Sequence, residues 1–325
     1  MTSSPRRPPT AAVVVALLTV YVLWGSTYFA IAVMIETMPP LLAAGARYGS
    51  AGLIMLAVLV AHARLGRGAP LERPTAIQWR TAAIVGTLLL LGGNGGVVLS
   101  ELFIPTGVAA VLVATVPIWL AVFDAVVTRQ RPSGLVIGGL VAGIAGVAVL
   151  LIPVEGFGEL DPIGIALVLG GAIAWSLGSL YARYNPLPRS ALLGTGMEML
   201  LGGLALIVGG ALLGEIGRTD LADFSARSMV AFVYLVVFGS IVAFTAYTWL
   251  LANVPVSTVA TYAYVNPVVA MGLGALFYAE PITARTLIAA VLIIGAVVAM
   301  VSGRPRVVDE SRPVIEAPTV EPDRA

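Results

Sequence analysis

Long runs of apolar residues, interrupted only by short stretches that carry charges, Gly and Pro, extend along the whole chain. A helix needs about 20 predominantly apolar residues to cross a hydrocarbon core of roughly 30 Å. Runs of this length predict transmembrane helices rather than a soluble core. The sequence therefore predicts an all-α membrane protein with ten transmembrane helices, at residues 11–33, 41–60, 80–101, 107–127, 133–152, 163–183, 190–213, 228–250, 256–278 and 283–301.

The amino-acid composition excludes several classes of protein. Of the 325 residues, 59% are hydrophobic and 11% are charged, against about 45–50% and 25% in soluble domains, which rules out a soluble single-core domain. All 18 basic residues are Arg and the net charge is +1, so no basic tract marks a nucleic-acid site. The chain has no Cys, a single histidine (His62), and no HExxH or GxSxG motif. We therefore expect neither an enzyme nor a bound metal or cofactor.

The distribution of Arg predicts how the chain is oriented in the membrane. With ten spans, 14 Arg lie on the side of the two termini and three lie on the other side, while Arg47 stays inside a span. Positive residues favour the cytoplasmic side, so both termini are expected in the cytoplasm, with the protein in a bacterial inner (plasma) membrane. The polar segments 1–10 and 302–325 are predicted to be disordered cytoplasmic ends.

The chain also contains an internal repeat. Three pairs of landmark residues lie 149 to 151 positions apart, at similar places in their spans: Trp24 and Trp175, Pro117 and Pro267, and Gly146 and Gly295. They indicate two five-helix copies, at 11–152 and 163–301, joined by an external linker at 153–162. Because five is odd, the second copy must be inverted in the membrane. Inverted repeats are typical of secondary transporters, whose substrate site lies where the copies meet. The paired prolines are candidate hinges.

Several motifs resemble one family of membrane proteins. The first copy contains LWGSTYFAI at 23–31, PP at 39–40 and SELFIPTGVAAVLVATVPIW at 100–119. The second copy contains AWSLGSLY at 174–181, TYAYVNPVVA at 261–270 and AEP at 279–281. These stretches are similar to the EamA repeats of the drug/metabolite transporter superfamily, particularly its YedA-like bacterial exporters. The resemblance implies a ten-helix inner-membrane carrier of small metabolites. The first copy departs from the pattern with RQRP at 129–132, where the family often has an acid before the proline.

Charged residues inside the predicted spans are functional candidates, because a charge in the middle of a bilayer costs about 2.5 kcal/mol or more. Arg47 lies 23 residues after Trp24, and Glu198 lies 23 residues after Trp175. The two charges therefore occupy equivalent positions in the two copies. We expect either an ion pair between the copies or a proton-sensitive site at Glu198, with local satisfaction of each charge as the alternative. Asp124 and Glu101 are interpreted as interfacial charges without a role in transport.

Aromatic and amide residues predict the substrate-binding cavity. Tyr21, Trp24 and Tyr28 share one helix face, Trp175 and Ser179 repeat the arrangement, and Thr258, Tyr262 and Asn266 form a stripe in the ninth span. The run GGNGG at 92–96 predicts close helix contact or local unwinding around Asn94. The alternative is that such residues simply pack helices together. The predicted substrate-binding residues are Trp24, Tyr28, Asn94, Trp175, Ser179, Tyr262 and Asn266.

The sequence thus predicts a secondary active transporter, an exporter of small amphipathic metabolites such as amino acids or drug-like compounds, that works by alternating access. The alternatives are a membrane channel or an assembly scaffold, with an intramembrane enzyme disfavoured by the missing catalytic groups. The expected partners are a small-molecule substrate, a coupled proton and the lipid bilayer, without nucleic acid. A monomer or a weak homodimer is expected.

Overall fold

The computed structural model of the protein describes residues 9–66, 72–129, 134–151, 160–254, 259 and 261–302. Within these ranges the chain is helical and contains no β-strand. We number the helices in chain order: α1 Thr10–Ile35, α2 Pro40–Arg64, α3 Ala76–Ser100, α4 Thr106–Thr128, α5 Gly134–Leu151, α6 Pro162–Tyr184, α7 Ala191–Leu212, α8 226–253, α9 Tyr262–Tyr278 and α10 Ala284–Ser302.

Seven of these helices, α1 to α4 and α6 to α8, are long and apolar enough to cross a membrane. The chain is therefore a multi-pass membrane protein. The other three contain shorter apolar stretches, at Ile137–Val149, Val265–Tyr278 and Ala284–Val298. The predicted start of the ninth span, at 256, falls outside the described residues. The prediction of ten spans is therefore supported for seven helices and left as an expectation for α5, α9 and α10.

Local sequence explains where several helices begin. Pro40 and Pro162 lie at the start of α2 and α6. An N–H group at the first helical position has no intrahelical acceptor, so proline, which lacks this group, loses no hydrogen bond there. The hydroxyl of Thr75 accepts from Gln78 N while the Gln78 side chain accepts from Thr75 N, a capping box that starts α3. Asp161, Ser190 and Ser225 cap α6, α7 and α8 in the same way with their side-chain oxygens.

Three of the long helices are irregular in their middle. α3 contains a π-helical segment at Thr87–Asn94, and α8 contains another at Leu235–Val242. The two segments start 148 residues apart, so they occupy equivalent places in the two halves of the chain. α4 breaks between Val113 and Val116, because Pro117 has no N–H to donate to the carbonyl of Val113.

Helices of the first half, α1 to α5, pack mainly against helices of the second half, α6 to α10. The most extensive contacts join α2 to α7 and α5 to α10. In addition, α1 packs on α8 and α9, while α6 packs on α3 and α4. If every helix is replaced by the helix five places away in the chain, for example α1 by α6 and α8 by α3, the same set of helix contacts results. The packing therefore has a two-fold character, with α2, α7, α5 and α10 next to the axis.

Glycines form the contact between α2 and α7. A Cβ atom added to Gly45 would lie 2.8 Å from the carbonyl oxygen of Gly203, and one added to Gly52 would lie 2.7 Å from that of Gly196. The order of the two pairs shows that the helices run antiparallel. Small residues let the backbones approach this closely, which is a common way of packing helices in membranes.

Candidate functional site

A cavity lies between the two halves of the chain. Its empty volume is about 950 Å³, which includes space that is open to solvent. The first half contributes α1 to α4 to the wall, and the second half contributes α6, α8 and α9. Most lining residues are apolar or aromatic, and a few polar side chains lie among them. Such a lining suits a molecule with an apolar body and few polar groups.

The cavity brings together nine of the eleven residues predicted as substrate-binding, hinge or coupling residues. They are Trp24, Tyr28, Arg47, Asn94, Pro117, Trp175, Tyr262, Asn266 and Pro267. Ser179 and Glu198 do not line it. The hydroxyl of Ser179 donates instead to the carbonyl of Trp175, at 2.8 Å. Thr258, part of the predicted stripe in the ninth span, lies outside the described residues.

The repeat-related tryptophans have different surroundings. Trp24 lies in an aromatic cluster, with ring centroids 5.1 Å from Phe244, 5.0 Å from Tyr247 and 4.9 Å from Tyr262. Its indole N–H donates to the carbonyl of Gly239 in the second π segment, at 3.3 Å. Trp175 instead packs against the glycines of the first π segment. Edge-to-face aromatic contacts of this kind hold the Trp24 ring in place.

The GGNGG run forms a contact surface and an irregular helix at once. A Cβ added to Gly93 would lie 2.8 Å from Cε3 of Trp175, and one added to Gly96 would lie 2.6 Å from the carbonyl oxygen of Leu167. Asn94 ends the π segment, and its Oδ1 accepts a hydrogen bond from the hydroxyl of Tyr48, at 2.7 Å. The glycines therefore let α6 approach α3, while Asn94 and Tyr48 join α3 to α2.

Arg47 is buried, with 2% of its surface exposed. Its Nε donates to the hydroxyl of Ser240 at 3.0 Å, and its guanidinium carbon lies 4.4 Å from the centre of the Tyr48 ring. Its Nη1 is buried without a hydrogen-bond partner among the described residues. Ser240 and Tyr48 were not singled out from the sequence, because neither carries a charge or a motif.

The expected ion pair between Arg47 and Glu198 does not form in this structure. The ion pairs between described residues join Arg183 to Asp124 at 3.2 Å and Arg227 to Glu36 at 3.4 Å. Gly45 of α2 and Gly196 of α7 both lie in the contact between these two helices. Arg47 lies two residues after Gly45, and Glu198 lies two residues after Gly196. Two residues correspond to about 200° of helical rotation, so both charges face away from the α2–α7 contact. Arg47 consequently contacts α8 instead.

Comparison with known proteins identifies the family. A model of the EamA-like transporter family matches residues 11–152 and 162–302. The chain belongs to this family. It is 38% identical to the inner membrane transporter YedA of Escherichia coli strain K12 over 293 residues, 89% of this chain and 90% of that one. It is 26% identical to the transporter YvbV of Bacillus subtilis strain 168, over 85% and 87% of the two chains.

A solved crystal structure shares the fold. It superposes with a TM-score of 0.58 and 20% identity, covering 90% of this chain and 96% of that one. The all-helical arrangement described above is therefore one that a natural protein adopts.

In this member of the EamA-like transporter family, two carboxylates join the halves at one end of the molecule. This is the end at which α1 stops and α2 begins, called here the Glu36 end. Glu215 accepts from the backbone N–H groups of Leu41 and Leu42, at 3.1 and 2.8 Å. Glu280 accepts from the N–H groups of Thr106 and Gly107, at 2.9 and 3.3 Å, and from the Thr106 hydroxyl. Each acid thus belongs to the second half and caps the start of a helix in the first half.

A second pair of contacts joins the halves at the same end. Glu36, next to the end of α1, pairs with Arg227 at the start of α8 and accepts a hydrogen bond from the Tyr278 hydroxyl. The sequence had shown the AEP motif that contains Glu280, without indicating which helix its carboxylate would cap. Glu215 had no signal, because a loop acid near the membrane surface is an ordinary feature.

Glu101, predicted to be an interfacial charge, is partly exposed as a residue, but its carboxylate group is buried. Both of its carboxylate oxygens are inaccessible and lack a hydrogen-bond partner among the described residues. The residue follows the last turn of α3, four positions after Val97 in the cavity wall. Burial raises its pKa well above the ordinary value of a glutamate, the Glu280 carboxylate raises it further, and Arg47 opposes the shift. Asp124 does lie at a helix end, where it pairs with Arg183.

Proposed function

We propose that this protein is a secondary active transporter that exports small amphipathic molecules, such as amino acids or drug-like compounds, across the inner membrane by alternating access. The observation that carries the proposal is the cavity between the two halves of the chain, lined by elements of both. A site at the meeting point of two repeats is the arrangement that lets one half rock against the other around a bound substrate. Membership of a transporter family supports the same reading.

The proposed topology has ten spans in two inverted five-helix repeats, with both termini in the cytoplasm. The two-fold packing pattern and the equivalent π segments of α3 and α8 support the repeat. The Arg distribution supports the orientation. In this orientation the Glu36 end faces outward. Because one chain lines the whole cavity, a monomer is sufficient for transport, and a weak homodimer is compatible with it.

The contacts at the Glu36 end support alternating access. Glu215 and Glu280 join the second half of the chain to helix starts of the first half. If the halves separate there, these contacts must break, and if they close again the contacts re-form. A contact between a carboxylate and the N–H groups at a helix N-terminus is strong enough to stabilise the conformation in which the halves touch at this end. It is also weak enough to break when the halves separate.

The substrate chemistry follows from the lining. Trp24, Trp175 and Tyr262 offer aromatic surface, and Asn94 and Asn266 offer amide groups. Arg47 is the basic residue among the described lining residues, whereas phosphorylated substrates commonly meet several basic groups. These features favour a small molecule with an apolar body.

Transport is tested with the purified full-length protein in liposomes. We expect saturable uptake of radiolabelled hydrophobic amino acids or of a lipophilic cation, accelerated by the same unlabelled compound inside the liposomes. Trp175→Ala is expected to reduce uptake about tenfold, through loss of an aromatic contact with the substrate. Trp79→Ala is the matched control, since Trp79 lies outside the cavity wall and is 38% exposed. Unsaturable flux without acceleration would indicate a channel, and absence of flux for every compound would favour a scaffold.

A proton is the proposed coupling ion, with Glu198 as its carrier. The support is the position of this carboxyl within α7, equivalent to that of Arg47 in α2. Glu198→Gln is expected to remove the pH dependence of uptake while leaving exchange of labelled for unlabelled substrate intact. Uptake by this variant with its full pH dependence would contradict the assignment.

A further inference from the structure

One buried cation in the cavity wall has an incomplete set of partners. Arg47 uses Nε to contact Ser240 and rests its guanidinium on the Tyr48 ring, while Nη1 has no partner among the described residues. A buried N–H donor without an acceptor costs on the order of 1–3 kcal/mol, and more when it carries a charge. Arg47 is one of the residues that line the cavity, so this donor lies in the cavity wall.

The ion pairs recorded between described residues also leave Arg47 without a paired anion. The described acids in ion pairs are Asp124 and Glu36, which pair with other arginines. Glu101 is the acid that interacts electrostatically with Arg47. It lies outside the cavity wall, and its carboxylate is beyond ion-pair distance of the Arg47 guanidinium. A buried guanidinium without a paired anion is costly, and an anion supplied by a ligand offsets that cost.

A second group without a partner among the described residues belongs to the same cavity wall, and it is an acceptor rather than a donor. Asn266 is 7% exposed and lines the wall, and its Oδ1 is buried without a hydrogen-bond partner among the described residues. An amide oxygen accepts hydrogen bonds, so it suits an N–H group or an ammonium group. The cavity wall therefore contains one cationic donor and one acceptor that lack partners among the described residues, set among apolar and aromatic side chains.

We propose that Arg47 binds the carboxylate of the transported molecule and that the Asn266 side chain accepts a hydrogen bond from its amino group. The assigned substrate class is a small carboxylic acid with a neighbouring N–H donor and an apolar body. This inference rests on the proposed transport function and adds a role to Arg47, which the sequence had suggested only for coupling or for an ion pair. A planar guanidinium suits a planar carboxylate, and a charge-assisted bond is about twice as strong as a neutral one.

Binding is measured by the fluorescence of the purified full-length protein, because Trp24 and Trp175 line the cavity. The probes are L-leucine and L-phenylalanine, each compared with its carboxamide, which differs only in the charged group. We expect the wild-type protein to bind each acid at least about tenfold more tightly than its carboxamide. Arg47→Gln should reduce this preference to near unity, and Arg47→Lys, which keeps the charge but loses the planar geometry, should retain part of it.

Arg64→Gln is the matched control, since Arg64 ends the same helix and is exposed. It should keep the full preference for the acids. Asn266→Leu is expected to weaken binding of the amino acids while leaving binding of 4-methylpentanoate, which lacks the amino group, unchanged.

Three results would overturn the assignment of Arg47. They are equal binding of acid and carboxamide by the wild-type protein, an unchanged preference in Arg47→Gln, and failure of both acids to bind at millimolar concentration. If Arg47→Gln does not fold, the comparison of acid with carboxamide and the Arg47→Lys variant still decide the question. A different result would contradict the transport function alone. If the protein binds the acids with the expected preference but gives no flux into liposomes, the Arg47 binding site is retained and the proposal of a transporter is wrong.

Discussion

At the scale of single residues, burial decides the chemistry of the charged groups. Arg47 and Glu101 both lie near the cavity, and each has buried polar atoms without a hydrogen-bond partner among the described residues. Glu36 and Glu280, in contrast, have donors within reach. The sequence identifies Arg47 as unusual because it lies in the middle of an apolar run. It does not identify Glu101, because the end of a span is an ordinary place for a carboxylate.

Glu101 leads to a prediction about pH. Its pKa in the folded protein is raised above the ordinary value of 4.5, mainly by burial and further by Glu280. The folded state then holds a proton that the unfolded state has released, so stability falls as the pH rises from about 4.5 through the raised pKa. Thermal unfolding of the detergent-solubilised protein should show this fall, and Glu101→Gln should reduce it and be the more stable protein at the higher pH values.

Asp223→Asn is the control for this prediction, since Asp223 is an exposed acid in the loop between α7 and α8. It should leave the pH dependence of the melting temperature as it is in the wild type. A Glu101→Gln protein that loses stability with rising pH as steeply as the wild type would show that other groups are responsible.

At the scale of helices, glycine contacts and irregular turns position the site. Gly45 and Gly52 bring α2 against α7, and Gly93 and Gly96 bring α3 against α6. The π segments of α3 and α8 lie beside the cavity, where they present Asn94 to Tyr48 and Ser240 to Arg47. Such segments are frequent at functional sites. The hydrophobic pattern predicts a continuous helix through both, so only the structure reveals them.

Two glycines of α2 allow a matched test of the α2–α7 contact. A Cβ added to Gly52 would lie 2.6 Å from the backbone nitrogen of Leu200, whereas one added to Gly49 would have no atom within 4 Å. Gly52→Ala is expected to destabilise the protein by about 1–3 kcal/mol through overpacking. Gly49→Ala is expected to be neutral or to stabilise by up to about 1 kcal/mol, because alanine is the better helix former. Thermal unfolding in detergent measures both, and equal melting temperatures for the two variants would contradict the close contact.

At the scale of the whole molecule, side-chain contacts join the two halves at the Glu36 end. Glu215 and Glu280 contact the starts of α2 and α4, and Glu36 contacts Arg227 and Tyr278. These contacts join the first half of the chain to the second. We therefore expect them to resist separation of the halves at that end.

Weakening both caps should open the Glu36 end. Because the natural chain has no Cys, a single Val97→Cys substitution in the cavity wall gives a clean reporter for a membrane-impermeant maleimide. Combining it with Glu215→Gln and Glu280→Gln removes two charge-assisted caps, and labelling from the outside should become at least about tenfold faster. Asp220→Asn is the control, because Asp220 caps only its own loop. Unchanged labelling would show that the caps do not hold this end closed.

The sequence by itself determined that this is a helical membrane protein, that the chain contains a repeat, and that several aromatic, amide and proline residues line a cavity, although it did not indicate Tyr48 or Phe244. These conclusions depend on composition, on span length and on positions within each span, all of which are local properties of the chain. The placement of Trp24, Trp175, Tyr262 and Asn266 in one cavity was predictable for this reason.

Only the tertiary structure decided which partners the charged groups have. Arg47 and Glu198 occupy equivalent positions, yet the glycine faces of α2 and α7 turn both side chains away from each other. Glu215 and Glu280 find their helix starts 173 or 174 residues away along the chain. The strength of an electrostatic contact depends on distance and burial in three dimensions, and neither quantity is encoded in the spacing of residues along a sequence.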